Sequence, residues 1–186
     1  MRDEIRVKGS VLLGVNAAAP KVIGESSYAA VRKELTGEFA ETMRTGLPLA
    51  SGWYPIEWHR QLLGRLVQQA GPTAMRDTVR LSTRDNVNTI NRILMRAFSP
   101  DSLLRSSASL FSGYFEAKIV ATRPQPDVSR VEWFGCRGFD KNVWQAQLHT
   151  TEELITMTGA RLKRRNLVSG GTDLDDAMVA EFSYAT

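Results

Sequence analysis

The sequence contains very few of the residues that build metal centres and disulfides. Among its 186 residues are a single cysteine and two histidines. Cys136 alone cannot form an intramolecular disulfide or supply a cysteine-rich zinc site, and a lone thiol is typical of a reducing compartment. We therefore expect no metal site, and we expect the protein to be cytoplasmic.

Long hydrophobic runs and a strong charge of one sign are also lacking. No run approaches the roughly 20 apolar residues of a membrane span, and the charged stretch 1–8 has no apolar core of the kind found in signal peptides. Lysine and arginine number 24 against 20 aspartate and glutamate residues, a net charge of +4. Because this excess is small, we expect neither a membrane span nor a nucleic-acid partner.

Catalytic signatures are absent as well. The sequence has no Gly-x-Ser-x-Gly, His-Glu-x-x-His or Cys-x-x-Cys motif and no glycine-rich phosphate-binding loop. The nearest approach to a catalytic pair is His59 with Glu57, and these two residues fall on different faces of one predicted helix. We therefore expect a non-enzymatic protein with no catalytic residue and no cofactor.

What the sequence does contain is a change of hydrophobic period near residue 116. Before this point apolar residues recur at helical spacing, most clearly from Pro55 to Ala70. Pro124 and Pro126 are expected to end the first strand after it and to open a long hairpin loop. The elements expected after residue 116 are strands at 117–122 and 130–134, a helix at 139–158, and strands at 161–168 and 178–184.

This order of elements predicts an α+β fold. A chain of this length with 42% apolar content suits a single domain, residues 1–186. Residues 1–116 form its mainly helical part, and residues 117–186 form a β-β-α-β-β half with a four-stranded antiparallel sheet. We expect the N-terminal helices to pack on that sheet.

Four segments carry a resemblance to a known family. They are Val-Lys-Gly-Ser at 7–10, Trp-Tyr-Pro-Ile at 53–56, Phe-Ser-Pro-Asp-Ser-Leu-Leu at 98–104 and the closing strand at 177–184. In this order they resemble a myxobacterial paralogous family of unknown function. That family is similar in turn to the vinyl-4-reductase ligand-binding domains, the haem-dependent nitric-oxide-binding domains and the trafficking subunits of the TRAPP complex. The resemblance implies helices packed on a β-β-α-β-β half.

The chain departs from two of these relatives at the positions that bind metal or haem. Vinyl-4-reductase domains commonly carry a cysteine cluster around the last hairpin, where this chain has Gly170-Gly171-Thr172-Asp173. Haem-binding relatives need an axial histidine backed by a Tyr-x-Ser-x-Arg motif, which this sequence does not contain. The resemblance therefore implies no zinc site, and His59 is the one residue that favours haem.

Residues 53–59 are the first part of a predicted ligand site. Trp53, Tyr54 and Trp58 could form an aromatic wall for a small apolar or planar ligand. The alternative is that these rings only anchor the start of a helix to the core. His59 lies in the apolar stripe of that helix, where it could bind a ligand or simply donate one hydrogen bond.

Ser82 and Asn86 complete the predicted ligand site. They stand where apolar residues are expected on a helical face that continues from Met75. If the helix is continuous, both side chains face inward and supply polar groups to a pocket. If the helix breaks at Ser82-Thr83-Arg84-Asp85, a capping-box pattern, they are only caps.

The helix predicted at 139–158 is apolar on two sides. Trp144, Leu148 and Ile155 form a second apolar line, which we expect to be covered by the N-terminal helices or by another subunit. These three residues are the predicted interface of a homodimer or of a complex with a protein partner. His149 falls away from both lines and is expected to face solvent.

Together these features favour a cytoplasmic sensor or regulatory domain that is not an enzyme. We expect a small ligand to bind in a pocket between the helices and the sheet, at Trp53, Tyr54, Trp58, His59, Ser82 and Asn86. The alternative is a protein-interaction module that acts as a homodimer or adaptor.

Overall fold

The computed structural model describes residues 4–86, 95–173 and 175–185. Their helices are α1 (Gly9–Ile23), α2 (Glu25–Lys33), α3 (Gly37–Thr45), α4 (Ile56–Asp85), α5 (Pro100–Phe111) and α6 (Lys141–Met157). Their strands are β1 (Arg6–Lys8), β2 (Trp53–Pro55), β3 (Lys118–Gln125), β4 (Val128–Phe134), β5 (Arg161–Gly170) and β6 (Ala177–Ala185). In these ranges no helix is both long enough and apolar enough to cross a membrane.

The predicted α+β fold with a four-stranded antiparallel sheet is confirmed. The strand order is β3-β4-β6-β5, and all three pairings are antiparallel. Along β4 and β6 every second side chain is buried, as alternation predicts for a sheet covered on one face. Trp133 lies opposite Met178 in the register, and both side chains belong to the core. Helix α5 contacts β3 and β4, and α6 contacts β5.

The first hairpin differs from the prediction. Strand β3 continues through Pro124 to Gln125, and only Pro126 and Asp127 separate it from β4. The pairing with β4 is irregular between Thr122 and Gln125. Because β3 is an edge strand, the nitrogen of Pro124, which has no hydrogen to donate, can face the open side of the sheet. No neighbouring strand needs a hydrogen bond there. The long loop expected here is therefore a short turn after a longer strand.

Helix α4 does not break at Ser82. Its one non-helical residue is Gly71, with φ 84° and ψ 169°, and Pro72 follows directly. This kink redirects the helix without ending it, and the second half runs to Asp85. Ser82 stays on the buried face with Met75 and Val79. The helix is thus continuous through Ser82, whose side chain faces inward as predicted, whereas Asn86 at the helix end is exposed. Ile90 and Ile93, at the next apolar positions of the predicted face, lie outside the described residues.

The N-terminal 23 residues contain two elements that the hydrophobic pattern did not predict, strand β1 and helix α1. Strand β1 pairs with β2, so that Val7 lies opposite Tyr54 and Lys8 opposite Trp53. Helix α1 begins directly after β1, and the N–H of Gly9 donates to the carbonyl oxygen of Gly52 at 2.9 Å. The two-stranded ribbon therefore fixes the start of α1 against the segment that precedes α4.

Helix α6 is covered by its own chain. Trp144 and Ile155 are 0% exposed and Leu148 is 2% exposed, because α4 packs on the side of α6 that the sheet leaves open. The indole N–H of Trp144 also donates to the carbonyl oxygen of Thr172 at 3.1 Å. This corrects the predicted interface, since these three side chains are not on the surface and the N-terminal helices provide the cover.

Two adjacent carboxylates on α6 are buried and paired with arginines. Glu152 accepts from Arg80 of α4 at 2.9 Å and from Arg165 of β5 at 3.0 Å. Glu153 pairs with Arg84 of α4. Burial by itself raises the pKa of Glu152, but the hydrogen bond from His149 and the charges of Arg165 and its neighbours outweigh it and hold that pKa below its ordinary value. This ion network joins α4, α6 and β5.

The close seating of α1 can be tested at Gly9. A Cβ there would overlap the backbone carbonyl of Leu49, so Gly9→Ala should lower the free energy of unfolding by about 2 kcal/mol. Gly64→Ala is the matched control, because its new Cβ would meet only Asn142 at 3.8 Å in the middle of α4. Gly64→Ala should raise the free energy of unfolding by about 0.5–1 kcal/mol, because alanine favours the helix more than glycine does. Urea unfolding checks both values, and equal effects of the two alanines would contradict the packing.

Candidate functional site

A cavity of about 380 Å³ lies between α1, α4, α5, α6 and the strands β3 and β4. Most of its wall is apolar, with Val15, Val79, Leu104, Phe111, Ile119 and Leu154 among the lining residues. Its polar lining includes His59, Ser82, Asn86, Gln147 and Thr151. Three of the predicted ligand residues, His59, Ser82 and Asn86, are thus brought together around one cavity.

His59 is the most unusual of these polar groups. It projects from the first half of α4, is 2% exposed, and lies 6.1 Å from Phe115 between ring centroids. Its Nδ1 atom is buried and has no hydrogen-bond partner among the described residues. Burial lowers the pKa of His59 to about 4, so the ring is neutral at neutral pH. A buried nitrogen without a partner costs free energy, and the residue that carries it also lines the cavity.

Ser82 and Asn86 reach the cavity because α1 has no side chain where it crosses α4. A Cβ built on Gly14 would lie 2.5 Å from Oγ of Ser82 and 3.0 Å from Nδ2 of Asn86. Any larger residue would push these two polar groups aside. Gly14 therefore shapes the polar edge of the cavity.

Helix α6 contributes polar residues that the sequence interpretation missed. Gln147 and Thr151 are 7% and 6% exposed, and both line the cavity. The hydroxyl of Thr151 donates to the backbone carbonyl of Gln147 at 2.9 Å. Their spacing of four residues places them on one face of the helix, beside Val143. A search for polar residues on an otherwise apolar helical face would have found them.

The aromatic residues 53–58 lie elsewhere. Tyr54 and Phe39 stack on Trp58 with ring centroids 4.6 and 4.8 Å apart. The hydroxyl of Tyr54 accepts from the N–H of Leu49 at 2.8 Å, and Nζ of Lys8 lies 4.5 Å from the Trp53 ring centroid. None of the three predicted aromatic residues lines the cavity in the described part of the chain. The predicted aromatic wall is corrected accordingly: these rings anchor the start of α4.

The remaining candidates for metal or nucleophilic chemistry are enclosed. Cys136 is fully buried, and burial together with Asp176 raises its pKa to about 12, so the thiol stays protonated. His149 is partly buried and lies 3.0 Å from Glu152, whereas the sequence interpretation expected it in solvent. No group of three or more histidine, cysteine or acidic residues suited to a metal occurs within residues 4–86, 95–173 and 175–185.

Comparison with known proteins identifies the fold. No protein-family model matches the sequence, and no curated protein matches it. Among solved structures, the Fe(II) unliganded H-NOX protein from K. algicida is 11% identical, with 96% of this chain and 97% of that chain covered and a TM-score of 0.67. An H-NOX protein from S. oneidensis in the Fe(II)NO ligation state is 7% identical, with 96% and 99% covered and a TM-score of 0.70.

A third similar structure is an oxygen-binding H-NOX domain related to soluble guanylate cyclases. It is 9% identical, with 96% of this chain and 95% of that chain covered and a TM-score of 0.70. At such low identities the likeness concerns the fold alone. The haem-nitric-oxide-binding fold named in the sequence resemblance is confirmed, while the myxobacterial family and the vinyl-4-reductase and TRAPP relationships stay predictions.

The residues around the cavity do not fit haem. An imidazole that binds a metal holds its second ring nitrogen with a hydrogen bond to a carboxylate, a carbonyl or water, whereas Nδ1 of His59 has no such bond among the described residues. No lysine or arginine from the described ranges lines the cavity to pair with the two propionates. The Tyr-x-Ser-x-Arg motif is also absent. We therefore assign no haem-based chemistry to this site.

The burial of His59 makes a prediction about acid stability. The unfolded chain takes up this proton near pH 6.5 and the folded chain only near pH 4, so stability falls as the pH drops through this interval. The loss due to His59 is about 3 kcal/mol. His59→Leu should remove that part of the pH dependence while leaving the profile above pH 7 parallel to that of the wild type. The free energy of unfolding of both proteins is measured with urea at a series of pH values. The same loss of stability with falling pH in wild type and His59→Leu would contradict a neutral, buried His59.

Proposed function

We propose that this chain is a non-enzymatic sensor or regulatory domain that binds a small, largely apolar molecule in the cavity between its helices and its sheet. The volume of about 380 Å³ falls within the roughly 300–1,000 Å³ of small-molecule sites. By proportion to a cavity of about 150 Å³ that holds benzene, it has room for about 15 non-hydrogen atoms. The wall is mostly apolar with a few polar groups, which is the usual composition of such sites.

The observation that carries this proposal is the unpaired Nδ1 of His59. Native proteins satisfy nearly all of their buried polar atoms, so a fully enclosed nitrogen without a partner needs an explanation. A ligand that draws the imidazole into a hydrogen bond would supply one, because the same ring lines the cavity. Binding would then form a hydrogen bond that the ligand-free protein lacks, and this bond would contribute to the free energy of binding.

Two further properties favour binding over catalysis. With a pKa of about 4, His59 is a weak base at neutral pH and a poor acid–base catalyst. The thiol of Cys136 has a pKa of about 12, which makes it a poor nucleophile. A buried, reduced cysteine also suits the cytoplasmic location that we propose.

A route from the cavity to the surface supports a sensor role. A bound molecule contacts Gln147 and Thr151 on α6, and the next residue along that helix, Glu152, holds Arg165 of β5. Strand β5 is an edge of the sheet, and the side chains of Leu167 and Val168 on it are about half exposed. A ligand in the cavity would therefore change the position of this exposed strand through the ion network.

The alternative function, an interaction module or homodimer, now depends on that same strand. The predicted interface residues of α6 are buried, whereas the apolar side chains on β5 lie at an open sheet edge, which is a common site of pairing with another chain. A surface of this kind is also where a sensor would signal its state to a partner.

Filling the cavity tests the proposal. Ala108 lines the cavity from α5, so the ring of Ala108→Phe would occupy ligand space. Ser106 on the same helix is exposed and outside the cavity lining, so Ser106→Phe is the matched control. The probe is the uncharged dye N-phenyl-1-naphthylamine, whose fluorescence rises in apolar sites.

The dye should bind saturably, one molecule per chain, to the wild type and to Ser106→Phe. Affinity for Ala108→Phe should fall at least about tenfold, with the free energy of unfolding unchanged or raised because a void has been filled. Equal binding to all three proteins would place the dye outside the cavity and would refute the proposal, as would the absence of binding to the wild type.

A further inference from the structure

Resting on the proposed function, we infer that the ligand of this cavity is an uncharged organic molecule that bears a hydroxyl, carbonyl or amide group, and that neither haem nor an organic ion binds there. The inference concerns the class of ligand, so it can fail while ligand binding itself stands.

The described residues that line the cavity carry no full charge. Across the described parts of the chain, no lysine, arginine, aspartate or glutamate lines the cavity. An ion moved from water into such a site loses its hydration and gains no counter-charge, which is far more costly than burying a hydrogen-bonded neutral group. A carboxylate, a phosphate or an ammonium group is therefore disfavoured relative to a neutral molecule of the same size.

On α4 and α6, the charged residues next to the cavity lining already have partners. Arg80 precedes Ser82 by two residues, and its guanidinium contacts Glu152 at 2.9 Å and Glu153 at 4.0 Å. Arg165 occupies the other oxygen of Glu152 at 3.0 Å. Moving an arginine out of this network to meet a ligand would deprive a buried carboxylate of one of its ion-pair partners. These groups therefore complete the fold and do not serve a ligand.

The polar side chains that line the cavity in ranges 4–86 and 95–173 are neutral, and several of them can both donate and accept a hydrogen bond. The imidazole of His59, the hydroxyl of Ser82 and the amide of Gln147 each carry both a donor and an acceptor. Within the hydrogen bonds of the described residues, none is made by the Ser82 hydroxyl or the Gln147 amide. Such groups recognise alcohols, ketones and amides, and they offer no compensation for a full charge.

The experiment compares ligands that share an unbranched skeleton of ten carbon atoms and differ in the polar group. Decanol, methyl octyl ketone, decanoate and decylammonium are titrated into the full chain at pH 7 by calorimetry, and haemin is titrated with its absorption spectrum as the readout. Decanol and the ketone should bind at one molecule per chain, at least about 100-fold more tightly than the two ions. Haemin should give no stoichiometric shift of its Soret band.

The cavity variants locate the binding. Ala108→Phe should weaken decanol binding at least about tenfold, and Ser106→Phe should leave it unchanged. Binding of either ion within tenfold of decanol would overturn the inference, and so would a stoichiometric Soret shift that His59→Leu abolishes. In both cases the proposed function would stand if phenylnaphthylamine still binds the cavity. If neither that dye nor decanol binds, the proposed function fails together with the inference.

Discussion

The architecture depends on pairing two adjacent carboxylates that α6 carries into the protein interior. Glu152 and Glu153 are almost completely enclosed, and an unpaired buried carboxylate would cost several kcal/mol. Arginines from the second half of α4 and from β5 meet them, so three elements that are distant in the chain are held in one arrangement. The residues that line the cavity from α4 and α6, Ser82 and Thr151, sit within two residues of this network. The ion pairs thereby fix the distance between two walls of the cavity.

These charged side chains are occupied in ion pairs, and the described residues that line the cavity are all neutral. The protein shares its fold with iron-containing H-NOX structures at 11% and 7% sequence identity. The helices and the sheet enclose a space in the same architecture, but the side chains at that space decide its chemistry. Here they provide an apolar wall, a neutral imidazole and a few hydrogen-bonding groups, which together suit a small organic molecule.

The β-β-α-β-β half could be predicted from the sequence because alternation along β6 and the double apolar face of α6 are local patterns. The polar gap at Ser82 was recognised for the same reason. Helix α1 was missed because its alanine-rich stretch gives little contrast between faces and Pro20 lies inside it. The ion network could not be foreseen, since Arg80 and Glu152 are 72 residues apart and only the tertiary fold joins them. The aromatic rings 53–58 were assigned to a ligand because composition alone does not reveal which side of a strand or helix faces a cavity.

The central claim is that the cavity holds an uncharged organic ligand and no iron. A crystal structure of gently purified protein, with anomalous data collected at the iron edge, tests this claim most directly. We predict electron density for a compact organic molecule in the cavity, within hydrogen-bonding distance of His59 or Gln147, and no anomalous peak. A cavity closed by its own side chains, or an iron atom bound to His59, would contradict the account.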